Sequence, residues 1–308
     1  MRGGNGRGMR ALALAMAVGF MACGGGGGDA PGARLPNPVP PAGTEVVGLV
    51  GPEGLTFDSN GVLYVGSTTG RITRISPEGD VSVFVETGRS LAGLATGPQD
   101  EIWAAAFTTG EVLAITQTGV MRIATSGLDS PNAIVFDRFQ RPIVSAFGLG
   151  GRPQVALVEP DTTYRTMTRE ITAPNGMAFG SDGALYVADT FQNRVVRMEE
   201  SDDGTLTTPE IYASGLGFPD GIAFDDNGDL FLAGAGQVWV VLPEEAPAAR
   251  AFVTTGDVDG PASLAFGFGA NRDRSRLYFT NYGYPVLGSG TTVASVKVGI
   301  SGAQLFAP

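Results

Sequence analysis

Residues 173–190 read APNGMAFGSDGALYVADT. A polar marker, Pro174-Asn175-Gly176, opens a short apolar strand at 177–179. Ser181-Asp182-Gly183 then supplies a tight turn, and Leu185-Tyr186-Val187 starts a second strand. The pattern recurs as PEGLTFDSNGVLYVGST from Pro52, PDGIAFDDNGDLFLAG from Pro219 and PNAIVFD from Pro131. Weaker copies are LAGLATGPQDEIWAAA from Leu91 and PASLAFGFG from Pro261. The residues after the marker positions are Gly54, Gly93, Ala133, Gly176, Gly221 and Ser263, 39 to 45 residues apart. A period of that length marks a repeat architecture and is read before any local feature.

Each repeat holds four strands. In the fourth they are expected at 177–179, 185–187, 194–198 and 211–213. The third strand recurs as RITRI at Arg71, EVLAI at Glu111, QVALV at Gln154, QVWVV at Gln237 and ASVKV at Ala294. Between strands lie Ser59-Asn60-Gly61, Asp226-Asn227-Gly228 and Glu78-Gly79-Asp80, which supply the positive φ that hairpins need. No long helical period interrupts them. The fold class is therefore all-β, a six-bladed β-propeller with four-stranded blades around a central channel. A β-sandwich leaves six evenly spaced markers unexplained. Ring closure draws one strand from a terminus, either residues 44–47 or residues 303–306.

The 308 residues include 47 Gly and carry a net charge of −11. With no basic run beyond the N-terminus, nucleic acid is excluded as a partner. Residues 1–23 read as an export signal. Arg2, Arg7 and Arg10 precede an apolar stretch at 11–21 that is too short to span a bilayer. It ends in Phe20-Met21-Ala22-Cys23 and resembles a bacterial lipoprotein signal with Cys23 as the lipidated residue. A Gly/Pro-rich linker, 24–43, separates it from the propeller, 44–308. The protein is expected to be exported and lipid-anchored at the cell envelope, touching membrane only through that anchor. Cys23 is the only cysteine, so no internal disulfide forms.

In a propeller the residue before each innermost strand lies at the channel mouth. In blade order these are Glu53, Ala92, Asn132, Asn175, Asp220 and Ala262. Two carboxylates and two amides form a ligand set suited to a hard divalent cation such as Ca²⁺. Without a cation, two buried carboxylates repel each other and lose solvation. Taken singly, each pair such as Asn-Gly is an ordinary turn.

These marked positions resemble the senescence-marker-protein/gluconolactonase (regucalcin-like) family of six-bladed propellers, relatives of squid-type diisopropyl fluorophosphatase and paraoxonase. The resemblance implies that Glu53, Asn132, Asn175 and Asp220 hold a catalytic metal, usually Ca²⁺. It further implies that Asp220 serves as general base on a small lactone or ester. The chain departs from the family in two ways. Where family gluconolactonases often carry a sugar-holding Arg, this chain has Ser130, and it has no histidine at all. The stretch ADTFQNRVVRM from Ala188 also resembles an NHL repeat, so a non-catalytic surface binding or scaffold propeller is the alternative.

Other chemistries fail on inventory. Without His, neither a Ser-His-Asp triad nor a His-bound zinc site can be built. Loops after the second strands bring Phe107, Phe147, Phe191, Tyr282 and Tyr284 to the mouth. Of these, Phe147, Phe191, Tyr282 and Tyr284, with Asn132, are candidate substrate contacts. Residues 283–290 are a candidate lid. Arg89 and Arg152 are candidate anion contacts, and Asp257 and Asp259 candidate assisting carboxylates. The acidic pairs Glu199-Glu200 and Asp202-Asp203 are expected to be solvated.

Overall fold

The computed structural model describes residues 34–283 and 286–303. Cys23 with the signal, Tyr284, and the tail from residue 304 lie outside the described residues.

Strand β1 (Gly43–Val46) belongs to the last blade. Blade one is β2 (Pro52–Phe57), β3 (Leu63–Ser67), β4 (Arg71–Ile75) and β5 (Val81–Glu86). Blade two is β6 (Leu91–Thr96), β7 (Ile102–Ala106), β8 (Glu111–Ile115) and β9 (Met121–Ser126). Blade three is β10 (Pro131–Phe136), β11 (Pro142–Ala146), β12 (Gln154–Val158) and β13 (Tyr164–Thr168). Blade four is β14 (Pro174–Phe179), β15 (Leu185–Asp189), β16 (Arg194–Met198) and β17 (Glu210–Ser214). Blade five is β18 (Ile222–Phe224), β19 (Leu230–Gly234), β20 (Gln237–Val241) and β21 (Arg250–Val253). Blade six is β22 (Pro261–Phe266), β23 (Arg276–Asn281) and β24 (Thr292–Lys297), completed by β1.

The N-terminal option therefore closes the ring, with Gly43 opposite Ser295 and Val46 opposite Val293. The other terminus takes a different job. Gly302 bridges Asp225, and the Ala303 amide donates to the Phe224 carbonyl, so the tail lines the far end of the channel. Part of the stretch read as linker is also docked. Leu35 and Val39 pack on the core between blades five and six, because apolar side chains there cover Phe252 and its neighbours.

Between blades, the phenylalanine ending an inner strand meets an aromatic from the preceding blade's second strand, edge to face. The pairs are Trp103–Phe136 at 5.5 Å, Tyr186–Phe224 at 4.8 Å, Phe231–Phe266 at 5.5 Å and Phe57–Tyr278 at 5.1 Å. That geometry suits the ring quadrupoles and explains the recurring Phe of each repeat.

Candidate metal and catalytic site

The marker is a β-bulge. In blades one, two, three, four and six the register between the first two strands shifts across it, from Pro52 to Leu55 and equivalently at Leu91, Pro131, Pro174 and Pro261. A bulge re-aims a side chain without ending the strand, and here it turns the hub residue toward the axis. In blade five the strand starts later, at Ile222, and backbone bonds from Asp220 to the Ala233 carbonyl and from Ala233 to the Gly221 carbonyl hold the marker instead.

The glycine after the hub residue sets how closely the inner strands approach. A Cβ on Gly54 would stand 2.4 Å from the Ala92 carbonyl oxygen. On Gly93 it would stand 2.5 Å from that of Asn132, and on Gly176 2.2 Å from that of Asp220. The absent side chain lets each strand lean on its neighbour's hub residue. Blades three and six carry Ala133 and Ser263 instead, and there a hydroxyl is added. Ser145 accepts from the Ala133 amide and Thr280 from the Ser263 amide. Thr280 also donates to the Glu53 carbonyl at 2.6 Å. These hydroxyl positions were not singled out in the sequence. Their signal was a Ser or Thr at the penultimate position of the second strand, found only where the marker lacks glycine.

Glu53, Asn132, Asn175 and Asp220 line one channel of about 320 Å³, as the spacing required. Asn132 and Asn175 are buried, and the two intervening positions, Ala92 and Ala262, are buried and apolar. The Asn175 amide is oriented by a relay. Its Nδ2 donates to Thr190 Oγ1 at 3.1 Å, which donates to the Pro219 carbonyl at 2.8 Å. Asn175 Oδ1 is left enclosed with no hydrogen-bond partner, as is Glu53 Oε2.

Burial, and next the Asp220 charge, push the Glu53 carboxyl well above the usual range. Burial pushes Asp220 up to about 7, against the lowering influence of Asn175. Tyr282 is raised first by burial and then by the Glu53 and Asp220 charges.

The donor set fits a divalent cation. Two oxygens orphaned in a dry site and two mutually repelling carboxylates are what such an ion would satisfy. Among the described residues no three Asp, Glu, His or Cys side chains gather as metal ligands, so the negative charge at this hub comes from Glu53 and Asp220 alone.

Other expected contacts separate. Phe147 and Phe191 stack edge to face at 5.2 Å, and Phe107 lies 6.4 Å from Phe147. Residues 286–290 fold back on Tyr282, whose carbonyl accepts from the Gly288 and Gly290 amides. Arg152 lines a shallow groove beside Phe107 and Leu149. Arg89 does not face a ligand: it is held by Glu111 at 2.5 Å and by the Thr87 carbonyl. Asp257 is used in ring closure, accepting from Asn281, Thr292 and Thr44. The amide of Asp259 donates to Asn281 Oδ1. Glu200 is not solvated. Its side chain is enclosed beside Asp137, and Arg141 bridges the two carboxylates, tying the outer hairpin of blade four to blade three.

Residues 144–282 match the family model described as SMP-30/Gluconolactonase/LRE-like region, and residues 43–75 match a strictosidine synthase-like N-terminal model. By fold the chain is an all-β six-bladed propeller, and its residues 144–282 are similar to the gluconolactonase family. No curated protein matches its sequence. Among solved structures it is similar to regucalcin from Agrobacterium tumefaciens, titled a calcium-binding protein (20% identity, TM-score 0.70, covering 88% of this chain and 97% of that one). It is likewise similar to a gluconolactonase from Xanthomonas campestris (19%, TM-score 0.67, 82% and 88%). A third similar structure is virginiamycin B lyase from Staphylococcus aureus (15%, TM-score 0.59, 80% and 80%), described as inactive after replacement of a histidine. At these identities the shared property is the fold, and a chain without histidine cannot repeat the lyase's chemistry.

Proposed function

We propose that this propeller is a metal-dependent hydrolase of the lactonase/esterase type. The observation that carries the reading is the enclosed pair of carboxylates at the mouth, with Glu53 Oε2 and Asn175 Oδ1 facing inward unsatisfied. A divalent cation, Ca²⁺ by the donor chemistry, supplies Lewis acidity toward a carbonyl oxygen when held by Glu53, Asn132, Asn175 and Asp220. Asp220 Oδ would take the proton of the attacking water, the general-base role open to a carboxylate at the reacting centre. Glu53 contributes charge and fixed geometry. Asn175, locked through Thr190, and Asn132 orient the carbonyl. The mouth aromatics limit water around the reacting bond.

We propose further that the domain is displayed at the cell envelope through lipidated Cys23. The deciding experiment is a panel of lactones and aryl esters assayed in Ca²⁺ and in chelator, with Asp220→Ala and Glu53→Gln. Loss of turnover in both variants and in chelator is expected. Turnover unchanged in both variants removes the mechanism. A cation-stabilised protein with no turnover on any substrate leaves the non-catalytic binding propeller.

A further inference from the structure

A second tier of side chains stands directly over the hub. In five blades the residue just past the second strand donates its amide to the carbonyl two positions before the hub residue. Thr68 bonds to Gly51, Phe107 to Ser90, Phe147 to Ser130, Thr190 to Ala173 and Tyr282 to Gly260. The repeat thus fixes a collar as regular as the hub beneath it. Over blades two to four the collar is aromatic. Phe107, Phe147 and Phe191 form a continuous row, and Thr190, next to Phe191, touches Asn175 itself. Leu149 shares a groove with Phe107, and Leu149 and Phe191 are 64% and 55% exposed. Contiguous apolar surface beside a polar site is unusual on a soluble domain and marks a binding surface.

Four polar groups along that arc are already committed within the protein. Arg89 is held by Glu111. Both oxygens of Asp129 accept backbone amides, from Gly150 and Arg152. Asp189 is held by Arg194 and the Ala173 amide. Asn193 Oδ1 accepts from the Phe218 amide. A sugar lactone needs donors and acceptors for several hydroxyls; these four groups are spent, which leaves the Arg152 guanidinium in the groove beside Phe107 and Leu149.

We infer that the site takes an apolar substrate: a lactone or ester whose alkyl or aryl group lies along Phe107, Phe147 and Phe191. This rests on the hydrolase reading for what happens at the carbonyl, but not for the binding preference. Each methylene buried on such a surface improves binding roughly fourfold.

The test uses two lactams, which present the same ring and carbonyl but resist hydrolysis. They are δ-valerolactam and its pentyl-substituted form, titrated calorimetrically into the Ca²⁺-loaded full chain. The pentyl compound is expected to bind at least about tenfold tighter. Phe191→Ser alone, and with Phe147→Ser, is expected to shrink that preference to about threefold or less. Because Phe191 is exposed, the single variant is expected to keep the wild-type melting temperature. Equal affinity for the two lactams, no binding of either, or a preference that survives both substitutions overturns the inference. So does a result in which the substitutions alter only sedimentation with phosphatidylcholine vesicles, which assigns the row to a membrane. Selective lactam binding without turnover of the corresponding lactones rejects the hydrolase and leaves the apolar preference standing.

Discussion

Replacing Gly176 by alanine adds one methyl group at the tightest approach between inner strands. Gly176 does not have a positive φ, so alanine meets no backbone penalty there. The effect is steric alone. The new Cβ would lie 2.2 Å from the Asp220 carbonyl oxygen, 2.7 Å from the Gly221 Cα and 3.0 Å from the Asp220 carbonyl carbon. All three are backbone atoms that cannot rotate aside. Ordinary contact begins near 3.4 Å, so blades four and five must part by about 1 Å at this level. Overpacking of this kind costs about 1–3 kcal/mol. With backbone on both sides the upper half of that range applies, lowering the melting temperature by roughly 4–10 °C. The displaced residue is Asp220, so calcium-induced stabilisation is expected to require about tenfold more Ca²⁺, the equivalent of about 1.4 kcal/mol. Gly43→Ala is the control, because a Cβ there meets nothing within 4 Å. Thermal unfolding of both variants across a Ca²⁺ titration gives both quantities. If Gly176→Ala matches Gly43→Ala in melting temperature and in calcium midpoint, the close approach does not set the hub geometry.

Glu53→Gln is expected to abolish the rise in melting temperature on adding Ca²⁺, which for a site saturated a hundredfold above its dissociation constant is about 2.7 kcal/mol; differential scanning fluorimetry in chelator and in Ca²⁺ checks it. Arg141→Met leaves the buried carboxylates of Asp137 and Glu200 without their shared cation and is expected to cost about 3–5 kcal/mol in urea unfolding. Glu200 is held up at about 7, first by burial and then by Asp137, against an ordinary 4.5. Its folded value exceeds its unfolded one. Its proton therefore stabilises the fold fully below pH 4.5, and that contribution is lost as pH rises through 7. Glu200→Gln is expected to flatten this decline in a pH series of melting temperatures, and an unaltered slope removes Glu200 as its source. Cys23→Ser is expected to release the protein from the membrane fraction and abolish palmitate labelling; unchanged fractionation rules out the anchor.

The fold was legible because propeller repeats write their period into the chain. The markers at Glu53, Asn132, Asn175 and Asp220 each sit beside a glycine or small residue and before a three-residue apolar strand. That combination gave both the blade count and the hub set. What the sequence left open was pairing between distant residues. Arg89 and Arg152 look alike in a linear reading, yet one is neutralised by Glu111 across the blade and the other lies along a groove. Glu200 looked like surface charge because its hairpin is acidic, and only the docking of that hairpin on blade three encloses it. Residues 35–42 read as spacer by their prolines, but Leu35 and Val39 find an apolar seam between two blades. Such outcomes depend on neighbours from about twenty to more than two hundred residues away, and local pattern carries no record of them.

Closing the ring through β1 has a mechanical corollary. The four residues from Gly43 to Val46 are the outermost strand of their sheet and the first strand along the described chain. Any load drawn through residues upstream of 35 meets the docked Leu35 and Val39 first and this clasp next, before it reaches the hub. Peeling β1 from β24 exposes one sheet edge while the hub tier, carried on the innermost strands, keeps its backing from all six blades.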